Sequence, residues 1–464
     1  MKGIQPYTTY KLSGIAWLGD IPEHWEVSKA KHIFFQKKKT LNSELNCGSI
    51  SFGKIVYKDN DRVPLETKAT YQELLKGEFL INPLNLNFDL KSLRTGLSTI
   101  DVVVSTGYIV LQNNEKFNRT YLRWLLHQFD ISFMKTLGDG VRQTLSYNDF
   151  KNTDLPYISL PEQTAIANFI DYKTAKIDRF IHKKKQLIKV LNEQKAGIIN
   201  HAVTKGLDPN ATMKDSGIEW LGEIPKHWGV RKLKYVADCF PSNIDKHTKE
   251  DEQQVRLCNY TDVYKNDFII NNMNLMIASA SVDQIEKFSL LKGDVIITKD
   301  SETANDIAVP AFVKEDLENV VCGYHLSVLR PSSKLVGEYL FRTLQCKSIN
   351  IQFELCSNGV TRVGLGVYDM KKARIPIPPI NEQKLIISHI EKETSQLNQL
   401  IQTIEKEIAL TQEYRTALIA EAVTGKVDVR AFVIPTVSEQ EELYEEIEEE
   451  LDMVAEDAES YENE

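Results

Sequence analysis

The sequence predicts an α+β protein built as a tandem repeat. Two similar globular domains are each followed by a long helix, and the two helices pair antiparallel as a coiled-coil spacer with approximate two-fold symmetry. Three observations predict this. "GIAWLGDIPEHWEV" at residues 14–27 returns as "GIEWLGEIPKHWGV" at 217–230, with ten of fourteen positions identical. Other segments return in the same order at slowly rising offsets. Each copy then ends in a stretch with a seven-residue apolar period.

The repeated elements come in a fixed order. The opening motif matches at an offset of 203 residues, and it pairs Trp17, Pro22, His24 and Trp25 with Trp220, Pro225, His227 and Trp228. "LLKGEFLI" (74–81) answers "LLKGDVII" (290–297) at an offset of 216, as does Gly107-Tyr108 with Gly323-Tyr324. "GVRQTLSYNDF" (140–150) answers "GVTRVGLGVYDM" (359–370), and "LPEQTAIANFI" (160–170) answers "INEQKLIISHI" (380–390) at 220. The rising offset puts the extra residues of the second copy before its helical part. Between the motifs, runs such as "DVVVSTGYIVLQ" and "GDVIITKD" read as strands, and "RTYLRWLLHQF" and "GEYLFRTLQC" as short helices. Their alternation is too irregular for a doubly wound sheet.

In the first spacer Ile170, Ile177, Lys184, Leu191 and Ile198 recur every seven residues, with Phe180, Ile181, Leu187 and Ile188 between them. In the second, Ile390, Leu397, Ile404 and Leu418 take these places, with Leu400, Ile401 and Ile408 between. Pro161 suits a first helical turn, Asn381 a cap, and Gly206 and Gly425 the far ends. Roughly 40 residues make a rod of about 60 Å. A solitary rod with an apolar stripe is poorly solvated, so the two are expected to cover one another.

Composition bounds the class. A chain of 464 residues suffices for two or three domains with separate cores. Its apolar runs are far shorter than the roughly 20 residues of a membrane span, and the first residues lack the apolar stretch of a secretion signal, so a cytoplasmic protein is expected. Six scattered cysteines without metal-ligand spacing read as reduced packing residues. The net charge of −9 hides an asymmetry: residues 438–464 hold fourteen acidic side chains and no basic one, which leaves +5 on the rest. That block reads as a solvated, flexible tail.

Catalytic signatures are missing. There is no G-x-G-x-x-G or G-x-x-x-x-G-K-[ST] loop, and "NPLN" and "IPPI" fail as the N/D-P-P-Y/F of an adenine methyltransferase. Glu66-Thr67-Lys68 beside Asp61 resembles a nuclease E-x-K, but so do Glu193–Lys195 and Glu382–Lys384 on predicted helices. No catalytic residue, metal site or cofactor is therefore assigned to the chain. Binding remains. Lys29, Lys31, Lys37, Lys38 and Lys39 follow the first motif, as Arg231, Lys232 and Lys234 follow the second.

The double "GI-x-WLG-x-IP-x-HW" lead-in and the double "EQ" at the start of each spacer helix (Glu162-Gln163 and Glu382-Gln383) resemble the specificity (S, HsdS) subunit of type I restriction-modification systems, over about residues 12–430. The resemblance implies a target-recognition domain at 1–158, a first spacer helix at 159–207, a second target-recognition domain at 208–378, a second spacer helix at 379–428 and the tail from 429. It implies a non-catalytic subunit that reads a bipartite double-stranded DNA site, with half-sites about one helical turn apart. It also implies that the repeated segments dock two adenine-N6 methyltransferase subunits, joined in some assemblies by two restriction subunits. S-adenosylmethionine, ATP and Mg would be bound by those partners. On this reading Trp17, Pro22, His24, Trp25, Glu162, Gln163, Trp220, Pro225, His227, Trp228, Glu382 and Gln383 form the repeated structural and partner-docking segments.

The expected base readers lie where the domains correspond yet differ in residue type. Asn85, Asn87, Lys91 and Arg94 stand against Lys299, Asp300 and Ser301 after the "KG" strand, and Arg142 and Gln143 against Thr361 and Arg362. The rival readings are a metal-dependent nuclease with duplicated DNA-binding arms and a coiled-coil protein scaffold.

Overall fold

The computed structural model describes residues 5–84, 93–137, 144–359 and 361–434. The acidic block beyond 438 lies outside them, as do Asn85, Asn87, Lys91, Arg142 and Gln143. The chain divides into two units, Met1–Lys183 with Glu407–Glu464, and Lys184–Lys406. The long helices span Leu160–Lys205 and Ile380–Val423, so each gives one half to each unit.

The first unit is built on a four-stranded antiparallel sheet in the order Phe34–Gln36, Ile109–Asn113, Phe79–Ile81, Thr95–Leu97. The run Phe79-Leu80-Ile81 is buried throughout, as befits a strand covered on both faces. The helix Arg119–Ser132 begins at an Asn118 cap, whose side chain accepts from the Tyr121 amide. Its apolar face seats Tyr121, Leu125 and Phe129 in one core with Trp25, Phe34, Phe79 and Phe150.

The second unit repeats this order with one strand more: Ala237–Pro241, Leu326–Pro331, Val295–Thr298, Pro310–Val313, Phe268–Ile269. Only the last pair is parallel. A further sheet of Met276–Ala280, Gln253–Cys258 and Val320–Cys322 encloses its own apolar cluster, around Val255, Leu257, Ala278 and Val321.

In both units the strand that runs into a long helix pairs with the strand that follows the lead-in, Asp154–Tyr157 with Glu26–Lys29 and Arg374–Ile377 with Gly229–Lys232. The lead-ins themselves are hairpins, Tyr10–Leu12 with Asp20–Pro22 and Met213–Asp215 with Glu223–Pro225.

The helix pairing is antiparallel within each unit. Ile166, Ala167, Phe169 and Ile170, early in one helix, share a core with Leu418, Ile419, Ala422 and Val423 at the end of the other. In the second unit Ile199, Ala202 and Val203 share a core with Ile386, Ile387 and Ile390. Each half-helix thus packs both on its counterpart and on the globular part of its unit.

Several local readings need correction. The first helix buries Ile199 and leaves Ile198 half-exposed, and Leu400 is exposed, because a straight helix drifts from a strict seven-residue period. Lys184 is half-buried within its stripe. Asn381 lies inside its helix, which starts at Ile380, and is not the cap. Thr174 and Thr394, 220 residues apart, are buried polar members of the stripes; each hydroxyl donates to the carbonyl four residues back, Ile170 O and Ile390 O, at 2.7 Å. Gly206 and Gly425 follow the helix ends with φ of 80° and 74°, the left-handed conformation a helix stop favours. Cys47, Cys239, Cys258, Cys322 and Cys346 are buried free thiols and Cys356 is exposed. No helix among the described residues is long and apolar enough to cross a membrane.

Candidate nucleic-acid interface

Each unit has a frame and a presented surface, and the repeated motif residues belong to the frame. Glu162, in the first turn of its helix, is buried under the lead-in. Its Oε1 accepts from the Trp25 indole at 2.9 Å and the Tyr7 hydroxyl at 2.6 Å, and His24 Nε2 lies 3.0 Å from Oε2. A buried carboxylate needs such donors, since an unpaired one would be strongly disfavoured. Burial, and then the Glu162 hydrogen bond, push the Tyr7 hydroxyl well above its ordinary pKa. In the second unit Glu382 accepts from the Trp228 indole at 2.9 Å, with His227 Nε2 at 2.8 Å. The motif histidine and tryptophan, adjacent in sequence, converge on one carboxylate.

Gln163 and Gln383 make a second matched contact. The Gln163 Oε1 accepts from the Asn118 amide at 2.8 Å, while its amide donates to Ile158 O. Gln383 Oε1 accepts from the Val336 amide at 2.8 Å and its amide donates to Pro378 O. Asn118 and Val336 are the N-caps of corresponding helices, so the glutamine satisfies a donor at the same place twice. Pro22 and Pro225 pair in register with Tyr10 and Met213. Trp17 packs edge-on against Phe129, whereas Trp220 is 40% exposed.

The presented surface is best formed in the second unit. Strand Val295–Thr298 is followed by Lys299, and Asp300-Ser301 then pairs antiparallel with Val363-Gly364. Residues 62 to 64 apart are thereby joined, which brings the predicted readers Lys299, Asp300 and Ser301 near the segment that holds Thr361 and Arg362. The latter two are exposed at the tip of a turn closed by paired hydrogen bonds between Asn358 and Gly364. Gly359 in that turn has φ of 144°, and a Cβ there would fall 1.9 Å from Arg362 O, so only glycine fits.

Side chains that sequence reading missed complete the surface. Asp300 Oδ2 accepts from Lys299 Nζ at 2.6 Å and lies 2.9 Å from His325 Nδ1. Burial raises the Asp300 pKa, but these two partners outweigh it and hold the carboxyl below its ordinary range. The Lys299 ammonium sits 4.7 Å from the Tyr324 ring centre. Tyr260 and Tyr264 stack at 5.5 Å, and the Tyr260 hydroxyl lies 3.4 Å from Ser301 Oγ. The only sequence signal was the repeated Gly-Tyr at 107 and 323.

In the first unit the same backbone link recurs: Leu145 N donates to Pro83 O at 3.1 Å, as Leu365 N does to Lys299 O at 2.8 Å. Of its candidate readers only Arg94 is described, and its Nη1 donates to Leu84 O at 3.2 Å.

The basic clusters divide. Lys37 is nearly buried between Glu73 at 3.1 Å and Glu78 at 2.9 Å, so it is spent on structure, contrary to the surface patch expected there. Lys29 is paired with Asp154 at 2.8 Å. Lys31 and Lys234, 203 residues apart, are both exposed; their turns pack against the helices Tyr147–Lys151 and Val367–Lys372, which add Lys151, Lys371 and Lys372. Among the described residues no group of three His, Cys, Asp or Glu side chains is placed to hold a metal ion.

The same latched α+β frame on paired half-helices is thus built twice. Residues 225–410 match the model of the type I restriction modification DNA specificity domain. Two proteins of Methanocaldococcus jannaschii are similar over nearly their whole length. One, named as the type I restriction enzyme MjaX specificity subunit, is 24% identical over 442 residues, covering 89% of this chain and 96% of that one. The MjaVIII specificity subunit is 22% identical over 418 residues, covering 88% and 94%. A chain solved in work on complex assembly and conformational transition of the type I R-M system shares the fold, with TM-score 0.58 at 14% identity over 87% of this chain and 98% of that one. Residues 225–410 thus match the DNA specificity domain, and the chain as a whole is similar to type I restriction enzyme specificity subunits over most of its length.

Proposed function

We propose that the chain reads a bipartite duplex site, one half-site with each target-recognition domain, and docks two adenine-N6 methyltransferase subunits, with restriction subunits joining through them. Target recognition is assigned to residues 1–158 and 208–378, and the spacer to 159–207 and 379–428. The observation that carries this reading is the duplicated latch: Glu162 with His24 and Trp25, Glu382 with His227 and Trp228. Two equivalent frames suit two identical partners, because a repeated surface can be met by the same partner surface twice. Trp25, Trp228, Gln163 and Gln383 are themselves buried, so their part is to shape the docking segments from within.

The chemistry falls to the partners. S-adenosylmethionine would be held by the methyltransferase subunits, and ATP and Mg by the restriction subunits. The chain supplies position and sequence choice, Lys31, Lys234 and Lys371 toward phosphates and the Lys299–Ser301 and Thr361–Arg362 segments toward base edges. It works in the cytoplasm on genomic DNA.

Co-expression with a type I adenine methyltransferase subunit, native mass measurement and methylation mapping test the proposal. The expected result is two methyltransferase subunits per chain and methylated adenines within one two-part motif. A single partner per chain, or a motif of one uninterrupted block, would overturn it.

A further inference from the structure

We propose that Asp300 is a specificity-determining residue that accepts a hydrogen bond from an exocyclic amino group in the major groove, that of cytosine N4. Lys299 and His325 act as its positioning residues. This rests on the reading of the chain as a duplex-DNA recognition subunit.

The geometry divides the carboxylate into a held oxygen and an offered one. Oδ2 takes both Lys299 Nζ at 2.6 Å and His325 Nδ1 at 2.9 Å. Oδ1 has no hydrogen-bond partner among the described residues. Facing it across the two-strand pairing is Gly364, where a Cβ would come within 3.3 Å of Oδ1. The glycine keeps the approach to that oxygen open. The Asp300 side chain is 21% exposed, so it is not closed off from solvent.

The chemistry of the offered atom selects its ligand. A carboxylate is an acceptor only, and among base edges in the major groove it matches the cytosine amine best. Guanine presents two acceptors there and would meet Oδ1 with repulsion. Lys299 is paired with the carboxylate, so its charge does not meet the phosphate-rich surroundings unopposed. The corresponding position in the first unit, at the offset of 216, is Leu84, which cannot accept at all. The cytosine requirement therefore belongs to the second half-site only.

The test uses the full chain with the subunits that co-purify with it, incubated with a pool of duplexes of random sequence, and sequencing of the bound fraction. The unmutated chain is expected to enrich a two-part motif with a required cytosine in one half. Asp300→Asn should reduce the preference at that position by about tenfold and leave the rest of the motif unchanged. Gly364→Ala, which keeps Asp300 but crowds Oδ1, should weaken the same position. A motif unchanged in both variants, or an affinity loss spread evenly over all positions, would assign Asp300 to structure and sink the proposal. If the unmutated chain enriches no motif, the recognition reading itself fails, visibly before any variant is compared.

Discussion

The two units build one latch to different depths. Glu162 is 4% exposed and gathers three donors; the Glu382 side chain is 24% exposed and gathers two. The missing donor is Tyr7, whose counterpart at the offset of 203 is Asn210. Connectivity explains the asymmetry. The second lead-in hairpin begins at Met213, eight residues after its helix ends at Lys205, so the chain itself keeps it at hand. The first lead-in comes before both long helices in chain order, so neither helix end runs directly into it. It is held instead by contacts to the residues after the other helix: Asp428 N donates to Gln5 O at 2.8 Å, and the Tyr10 hydroxyl donates to Lys426 O at 3.3 Å. Extra hydrogen bonds offset the entropy of bringing together segments distant in sequence.

The largest expected effect breaks the comparison at its centre. Glu162→Ala strands the Tyr7 and Trp25 donors in a buried site and should cost about 3 to 4 kcal/mol, while Glu382→Ala should cost about half that. Denaturant unfolding of the full chain, followed by Trp fluorescence, measures both. Equal losses would show that depth does not matter.

The helix stops give the next contrast. Both glycines are left-handed, so alanine is strained at either, but their surroundings differ. A Cβ at Gly425 would lie 2.4 Å from Pro22 Cδ and 2.9 Å from Trp25, against 3.2 Å from Trp228 at Gly206. Gly425→Ala should cost about 2 to 3 kcal/mol and Gly206→Ala about 1 kcal/mol.

Acid should weaken the first unit through His127. Burial, reinforced by Arg415 and Arg123, depresses its pKa to about 4. The unfolded chain then binds a proton that the folded unit refuses, so stability falls as pH drops from the ordinary histidine range toward 4. At the matching place, offset by 218, the second unit has Gln345. His127→Gln should flatten the acid limb of first-unit unfolding and leave the second unit unchanged; an unaltered limb would remove His127 as its source.

These asymmetries mark the limit of what sequence patterns carry. The duplication, the α+β class and the long helices were legible, since a repeat and a seven-residue period need only spacing. The lead-in histidine and tryptophan were visible as a motif, but their meeting at Glu162 and Glu382 was not, because those partners lie about 140 to 155 residues away. Lys37 read as surface charge until Glu73 and Glu78 closed over it. Among the proposed readers, Lys299–Ser301 and Thr361–Arg362 came from comparing the copies, whereas His325 and Tyr260 are joined to the first group only by folding.

The tether argument has its own test, with the smallest net effect. Asp428 and Gln5 are bridged partners, so a short Gly/Ser linker from Ile434 to Gln5 gives the first lead-in the covalent approach the second now has. Opening the chain between Asp208 and Asn210 removes that approach from the second, where the described hydrogen bonds are local to a turn. One tether is exchanged for another of similar length, and loop entropy grows only slowly with length, so total stability should change by less than about 1 kcal/mol. The distribution should nevertheless reverse. Tyr7→Phe, expected to cost about 1 kcal/mol in either chain order, should no longer decide which unit unfolds first, and the second unit, with two donors and no tether, should become the weaker. If the first unit still unfolds at its old midpoint relative to the second, connectivity is not what the third donor compensates.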